Sequence, residues 1–113
     1  MKYSFEKKVI AITGAANGIG RAASILLAKE GATIIAIDKD IIALKKLKTK
    51  LKNNCVIKNI NCTDIDDIKK NLNDIKNIHG LVNCAGIVPQ GDLMKCTIND
   101  WNETIKTNLT SVF

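Results

Sequence analysis

The stretch of sequence that decides the fold of this chain is Thr13-Gly14-Ala15-Ala16-Asn17-Gly18-Ile19-Gly20. An apolar run, Val9 to Ile12, precedes it, and a segment with the apolar periodicity of a helix, Ile19 to Lys29, follows it. The three glycines let the backbone turn sharply and approach an anion with no Cβ atom in the way. The N-terminus of the following helix adds unpaired N–H groups and a positive dipole end. The stretch therefore predicts a strand, a phosphate-holding turn and a helix.

The remaining segments alternate between strand-like and helix-like patterns. The strand candidates are apolar runs typical of parallel strands covered on both faces, and the helix candidates repeat apolar residues every three or four positions. The predicted strands span about 8–13, 33–37, 55–60 and 80–84. The predicted helices span about 18–30 and 41–52, then run from a cap at Thr63 and from Thr97 through Val112. Right-handed crossovers turn this alternating order into a doubly wound parallel sheet of the α/β class.

Two features of these helices are specific predictions. Thr63 is the expected N-cap of the third helix, because Asp66 follows at the spacing of a capping box. In the first helix, one apolar stripe is expected, as in a helix that packs on a core. Its members are Ile19, Ala22, Ala23, Leu26 and Leu27.

Composition limits the classes of function. The chain has 113 residues, enough for one domain, and its net charge of +6 comes almost entirely from lysine. Because Arg21 is the only arginine and aromatic residues are few, a nucleic-acid-binding module is the weaker alternative. Apolar stretches have the length of strands, so the sequence predicts no membrane span and no signal peptide. We expect a cytoplasmic protein.

The cysteines do not indicate a metal site. Cys55, Cys62, Cys84 and Cys96 have no C-x-x-C spacing, and His79 is the single histidine. Reduced, partly buried thiols in or beside strands are therefore expected, with no metal bound.

The quoted residues resemble a known family. T-G-A-A-N-G-I-G is similar to the T-G-x-x-x-G-x-G signature of the short-chain dehydrogenase/reductase family. Asp38, Asn83-Cys84-Ala85-Gly86, and Trp101 leading to Asn108 also fall where that family has comparable residues. The resemblance implies a Rossmann-like sheet of strand order 3-2-1-4. It covers only the first half of the family pattern, so residues 1–113 are expected to be an incomplete, truncated NAD-binding domain.

The choice of cofactor depends on Asp38. This carboxylate stands about twenty residues beyond the glycine stretch, where an acid can accept from the ribose hydroxyls of a dinucleotide. It would repel a 2′-phosphate by roughly 4 kcal/mol per charge pair at ~4 Å and an effective dielectric near ~20. NAD is therefore favoured over NADP, although Lys39 is a basic neighbour and Asp38 alone would indicate a strand end or helix cap. With the resemblance, the expected cofactor-binding residues are Gly14, Asn17, Gly18, Ile19, Gly20, Asp38, Asn61, Cys62, Asn83, Ala85 and Gly86.

Asn61 replaces an acid of the family pattern. The resemblance implies that the acid accepts from the adenine amino group, and that the next backbone N–H donates to the ring. An amide oxygen can still accept that bond, but more weakly than a carboxylate. The alternative is that Asn61 bonds only to a neighbouring turn, and both interpretations are open at this point.

The resemblance implies a catalytic role for Asn108, as the Asn that bonds backbone and a proton-relay water. If Asn108 faces outward, it is an ordinary helix residue. The family's Tyr, Lys and Ser do not follow Asn108, and Tyr3-x-x-x-Lys7 matches the Tyr-Lys spacing by accident. The 113 residues alone are therefore expected to be inactive.

The implied function is NAD-dependent interconversion of a secondary alcohol, such as a hydroxy acid, and a ketone by hydride transfer. The alternatives are a 3-oxoacyl carrier-protein reductase and a non-catalytic truncated nucleotide-binding protein. The expected partner is the small alcohol or ketone, with no nucleic acid and no membrane. The complete protein is expected to form a homo-oligomer.

Overall fold

The fold is a parallel sheet with helices on both faces. The structure is a computed structural model that describes residues 4–113. Its strands are β1 (Val9–Thr13), β2 (Thr33–Asp38), β3 (Cys55–Asn59) and β4 (Gly80–Asn83), and they form one parallel sheet in the order β3-β2-β1-β4. Its helices are α1 (Gly18–Lys29), α2 (Ile41–Leu51), α3 (Ile65–Leu72) and α4 (Ile98–Asn108). The predicted α/β class, Rossmann-like topology and strand order 3-2-1-4 are confirmed.

Each face of the sheet has its own core, because successive strand residues point to opposite sides. One core joins β1 and β2 to α1 and α2, and its fully buried members include Ile12, Ile34, Leu44 and Leu47. The other core joins the same strands to α3, through Ala11, Ile35, Ile37 and Ile60 with Ile68 and Leu72. Apolar side chains on both faces explain why the two central strands are continuous apolar runs.

The buried face of α1 differs from the predicted stripe. Gly20, Ser24 and Ala28 are buried, whereas Ile19 is 80% exposed and Leu26 is 61% exposed. A Cβ atom on Gly20 would lie 2.1 Å from the carbonyl oxygen of Gly14, so α1 approaches the preceding turn too closely for large side chains. Small residues are needed at this contact. The prediction of a single stripe that includes Ile19, Ala22 and Leu26 is therefore wrong.

The start of α3 also differs from the prediction. Asp64 is the N-cap, and its Oδ1 accepts from the backbone N–H of Asp66 at 3.0 Å and of Asp67 at 3.1 Å. The Thr63 hydroxyl donates instead to Oδ1 of Asn61. The expected Thr63 cap is wrong because the carboxylate of the next residue takes the free N–H groups of the first turn.

Helix α4 begins as expected and ends earlier. Thr97 and Asp100 form a reciprocal capping box, and the hydrogen bonds from Thr97 lower the pKa of the Asp100 carboxyl. The helix ends at Asn108, and a separate 3₁₀ turn, Thr110–Val112, follows. The predicted continuous helix through Val112 is therefore wrong.

Strand β4 lies at the edge of the sheet, and the residue before its amino end is bonded to the start of β1. At the amino end, His79 N–H donates to the Val9 carbonyl at 2.8 Å, and Val9 N–H donates to Nδ1 of His79 at 3.0 Å. The other edge of β4 has no strand partner among residues 4–113, and Leu81 is 55% exposed.

The sequence predicts neither a membrane span nor a metal site. Among the helices that the structure describes, none is both long and apolar enough to cross a membrane. Residues 4–113 contain no group of three or more His, Cys, Asp or Glu side chains that could hold a metal ion. The four cysteines are free; Cys55 is buried, while Cys96 is exposed and follows a 3₁₀ turn (Leu93–Lys95) rather than a strand.

Gly20→Ala is expected to lower the free energy of unfolding by roughly 3 kcal/mol, because its methyl group would overlap the Gly14 carbonyl. Gly18→Ala is the matched control. Gly18 has φ +53°, and no atom lies within 4 Å of the place that an alanine methyl group would take, so only backbone strain of roughly 1–2 kcal/mol is expected. Urea unfolding measures both. Equal costs for the two variants would contradict the close packing of α1 on the turn.

Candidate functional site

A cleft of about 170 Å³ lies at the carboxyl edge of the sheet. Its walls are the residues that follow each strand, together with one side of α4. This edge is where ligands bind in open α/β sheets, at the point where the strand order reverses. Here the order reverses between β1 and β4. The lining residues are Gly14, Asp38, Lys39, Ile60, Asn61, Cys62, Thr63, Ala85, Gly86, Ile87, Glu103 and Thr107.

The glycine turn is anchored to the end of β2. The N–H of Ala15 donates to the Ile37 carbonyl at 3.2 Å, and the N–H of Ala16 donates to Oδ2 of Asp38 at 3.1 Å. Asn17, the N-cap of α1, makes no side-chain cap bond. The next N–H groups, at 18–20, have no hydrogen-bond partner within the part of the chain that the structure describes. The helix start therefore presents free donors that can bind an anion.

The turn also packs directly on the segment after β4. Gly14 has φ +63°, and a Cβ atom there would lie 2.7 Å from the carbonyl carbon and oxygen of Cys84. The hydroxyl oxygen of Thr13 accepts from the N–H of Cys84 at 3.1 Å and of Ala85 at 3.2 Å. This function of Thr13 was not predicted from the sequence. The sequence feature that could have predicted this contact is the hydroxyl at the last position of β1, immediately before the first glycine.

Both carboxylate oxygens of Asp38 accept hydrogen bonds from the protein backbone. Oδ2 accepts from Ala16 N–H, and Oδ1 accepts from Asp40 N–H at 3.0 Å. Asn59 Nδ2 donates to the carbonyls of Asp38 at 3.1 Å and Lys39 at 2.9 Å, which holds the chain as it leaves β2. Each carboxylate oxygen keeps a second lone pair. Asp38 can therefore still accept two hydroxyl groups from a ligand.

Asn61 is bonded to its own turn. Its Oδ1 accepts from the N–H of Thr63 at 3.0 Å and from the Thr63 hydroxyl at 2.7 Å. The Asn61 N–H donates to Oδ2 of Asp67 at 2.8 Å. Of the two interpretations left open by the sequence, the turn contact is the one present in the structure. A contact with the adenine amino group stays a prediction.

Cys62 lines the cleft as a neutral thiol. Burial, and then the negative charges of Asp38 and Asp67, raise the pKa of the Cys62 thiol above its ordinary value. Only a thiolate is an effective nucleophile. The arrangement therefore gives Cys62 no role as a reactive group at neutral pH.

Asn108 bonds to the loop after β4 through both ends of its amide. Its Oδ1 accepts from Ile87 N–H at 2.8 Å, and its Nδ2 donates to the Ile87 carbonyl at 2.8 Å. A Cβ atom on Gly86 would lie 3.3 Å from the Asn108 oxygen. Asn108 therefore bonds Ile87 to the end of α4 although the residue itself is exposed, while its function in proton transfer stays a prediction.

The structure brings together about half of the predicted cofactor residues. Gly14, Asp38, Asn61, Cys62, Ala85 and Gly86 all line the cleft. Asn17, Gly18, Ile19 and Gly20 do not line it and form the start of α1. Asn83 lines a different, apolar cavity beside α3.

Two residues of the cleft that come from a helix were not predicted from the sequence. Glu103 and Thr107 reach it from α4. They stand four residues apart and so share one helix face, which was the signal available in the sequence.

Known proteins match nearly the whole chain. A family model described as short chain dehydrogenase matches residues 8–113. Dehydrogenase/reductase SDR family member 6 from Xenopus laevis is 39% identical over 106 residues, which are 94% of this chain and 42% of that protein. The 3-oxoacyl-[acyl-carrier-protein] reductase FabG from Thermotoga maritima is 39% identical over 115 residues, which are 96% of this chain and 47% of that protein. The chain thus spans less than half the length of these relatives.

A solved structure also has the same fold. The short-chain dehydrogenase/reductase described as a glucose/ribitol dehydrogenase from Brucella melitensis superimposes with a TM-score of 0.90 at 30% identity. The match covers 100% of this chain and 50% of that chain.

Asn108→Ala is expected to lower the free energy of unfolding by about 1 kcal/mol, because it removes two hydrogen bonds at an exposed contact where water can replace them. It should also speed hydrogen exchange of the Ile87 amide. Asn102→Ala, on the exposed surface of the same helix, is the control and should change neither. Unchanged exchange at Ile87 in Asn108→Ala would contradict this contact.

Proposed function

We propose, since this chain belongs to the short-chain dehydrogenase family, that it is the NAD-binding part of an oxidoreductase. The observation that carries the proposal is the convergence of the segments after all four strands on one cleft beside the free N–H groups of α1. Such an edge, with its glycine turn, suits a dinucleotide.

The order of the strands supports one direction for the bound dinucleotide. The pyrophosphate binds at the start of α1, where the free N–H groups lie. From there, Asp38 at the end of β2 receives the ribose hydroxyls of one nucleotide, and 60–63 at the end of β3 receive its base. The nicotinamide half then extends the other way, over 83–86 toward Asn108.

Asp38 supports NAD over NADP. Its carboxylate is fixed by Ala16 N–H and Asp40 N–H, so it cannot turn away from a 2′-phosphate without breaking those bonds. Lys39 also lines the cleft and provides the opposing positive charge. Repulsion by the fixed acid favours the cofactor that carries a hydroxyl at this position.

We propose hydride transfer between a nicotinamide cofactor and a secondary alcohol or ketone, with a hydroxy acid as the alcohol. The second candidate is reduction of a 3-oxoacyl group on a carrier protein, favoured by the identity to the relative of that name from Thermotoga maritima. A non-catalytic nucleotide-binding protein is the third. In each case the cofactor occupies the same cleft.

We propose that catalysis needs polypeptide equivalent to the unmatched half of the relatives, so that residues 1–113 alone bind cofactor without turnover. The single tyrosine, Tyr3, lies outside the described residues. The open edge of β4, the exposed Ile98 and Trp101 of α4 and the exposed Leu109 just after it support packing against further chain or a second subunit in a homo-oligomer. The four free cysteines fit a reducing, cytoplasmic compartment.

Isothermal titration calorimetry is expected to give tighter binding of NAD than NADP by about tenfold, because the positive charge of Lys39 and solvent screening offset most of the repulsion between Asp38 and a 2′-phosphate. In Asp38→Ser, the dissociation constants of NAD and NADP should lie within about threefold of each other. Asp66→Ser is the matched control, because Asp66 is an exposed acid of α3 that does not line the cleft, and its ratio should be unchanged. Equal affinities for NAD and NADP in the unmodified chain would contradict the assignment of Asp38.

A further inference from the structure

We propose that Asn61 makes the base end of the cleft favour a 6-oxo purine over a 6-amino purine, relative to the same cleft with aspartate at this position. The inference rests on the proposed function, because it concerns the base of the bound dinucleotide. Its basis is that the Asn61 amide presents hydrogen-bond donors to a ligand, since its oxygen is already used by the protein.

The orientation of the Asn61 amide is fixed by chemistry. The group that contacts it at 3.0 Å is the backbone N–H of Thr63, which can only donate. The atom facing Thr63 is therefore the oxygen. The Thr63 hydroxyl donates to the same oxygen at 2.7 Å, so both of its lone pairs are engaged. Turning the amide over would set NH₂ against the Thr63 N–H and break that bond.

The backbone of Asn61 is held as firmly as its side chain. The N–H of Asn61 donates to Oδ2 of Asp67, while Oδ1 of the same carboxylate accepts from Nδ2 of Asn71 at 2.7 Å. The N–H of Asp64 donates to the Asn61 carbonyl at 3.0 Å and closes the turn. These contacts make a rigid turn in which the NH₂ of Asn61 and the N–H of Cys62 find no partner within the described residues.

The turn stands where the base of the dinucleotide is expected. With the pyrophosphate at α1 and the ribose at Asp38, the next group in the direction β1 to β2 to β3 is the base. Residues 60–63 form the cleft wall at the end of β3. Asn61 lines this wall and is exposed, so its NH₂ group is accessible to the edge of a purine ring.

The two purine substituents respond oppositely to an NH₂ group. A 6-amino substituent is itself a donor, so it gains no bond from Asn61 and loses solvation when it is buried there. A 6-oxo substituent accepts from the NH₂ group, and the N1–H that accompanies it meets the same backbone in every variant, so its effect cancels when the ratios of two variants are compared. An aspartate at position 61 reverses this preference, because one carboxylate oxygen can accept from Thr63 while the other faces the base as an acceptor.

Isothermal titration calorimetry tests the inference with two probes, NAD and its 6-oxo analogue, nicotinamide hypoxanthine dinucleotide. The measured quantity is the ratio of their dissociation constants in each variant. Asn61→Asp is expected to shift this ratio toward NAD by about tenfold, the effect of exchanging a donor for a charged acceptor at one hydrogen bond. Thr63→Val keeps the Thr63 N–H bond but frees one lone pair of the Asn61 oxygen. It should shift the ratio in the same direction, by about threefold or less.

Asn53→Asp is the matched control. It makes the same change of charge at an exposed residue of the turn before β3, at the opposite end of that strand from the cleft, and should leave the ratio unchanged. If NAD binds but Asn61→Asp leaves the ratio as in the unmodified chain, the inference is wrong, and the Asn61 NH₂ group does not contact the base. If neither dinucleotide binds to the unmodified chain, the proposed function itself fails, and the inference fails with it.

Discussion

The structure depends on the close approach of three backbone segments at the glycine turn. Gly14 lies against the backbone of Cys84, and Gly20 lies against the carbonyl of Gly14, with no room for a Cβ atom at either contact. These contacts bring the start of α1 onto β1 and join the ends of β1 and β4. The free N–H groups of α1 thus open beside the ends of the strands, where a ligand can reach them.

The polar residues of the cleft serve the fold and the ligand at once. Asp38, Asn61 and Asn108 each use part of their hydrogen-bonding capacity to fix backbone in a neighbouring segment. What each offers to a ligand is the part that remains: two lone pairs for Asp38 and an NH₂ group for Asn61. The chemistry of such a site therefore follows from the internal contacts as much as from the residue types.

The fold was predictable from the sequence because its signals are local and repeated. Apolar runs of strand length alternate with helical periodicity, and the glycine turn fixes which strand precedes which helix. The buried face of α1 was not predictable from apolarity, because contact distance rather than hydrophobicity selects Gly20, and Ser24 is buried with its hydroxyl bonded to the Gly20 carbonyl. The N-cap of α3 was predicted wrongly because Thr63 and Asp64 are both residue types that cap helices well. The hydrogen bond between the Thr63 hydroxyl and Asn61, which leaves Asp64 as the cap, is visible only in the structure.

The site was predictable in part for the same reason. Residues that follow strands were found, since parallel strands end at one edge, whereas Glu103 and Thr107 reach the cleft by the packing of α4. Asn83 was expected at the cofactor but lines the apolar cavity on the α3 face. Successive residues of a strand point to opposite faces of the sheet, so a shift of one position along the strand changes which cavity a side chain enters.

The most direct test of the account is an amide NMR titration of the ¹⁵N-labelled chain with NAD. We expect the largest shift changes at the free N–H groups of Gly18, Ile19 and Gly20, and smaller ones at the turn around Cys62. Val9 and His79, which pair at the opposite edge of the sheet, should not change. Changes centred on the amino edge or on the apolar cavity beside α3, with the start of α1 unaffected, would contradict the binding of a dinucleotide at the carboxyl edge.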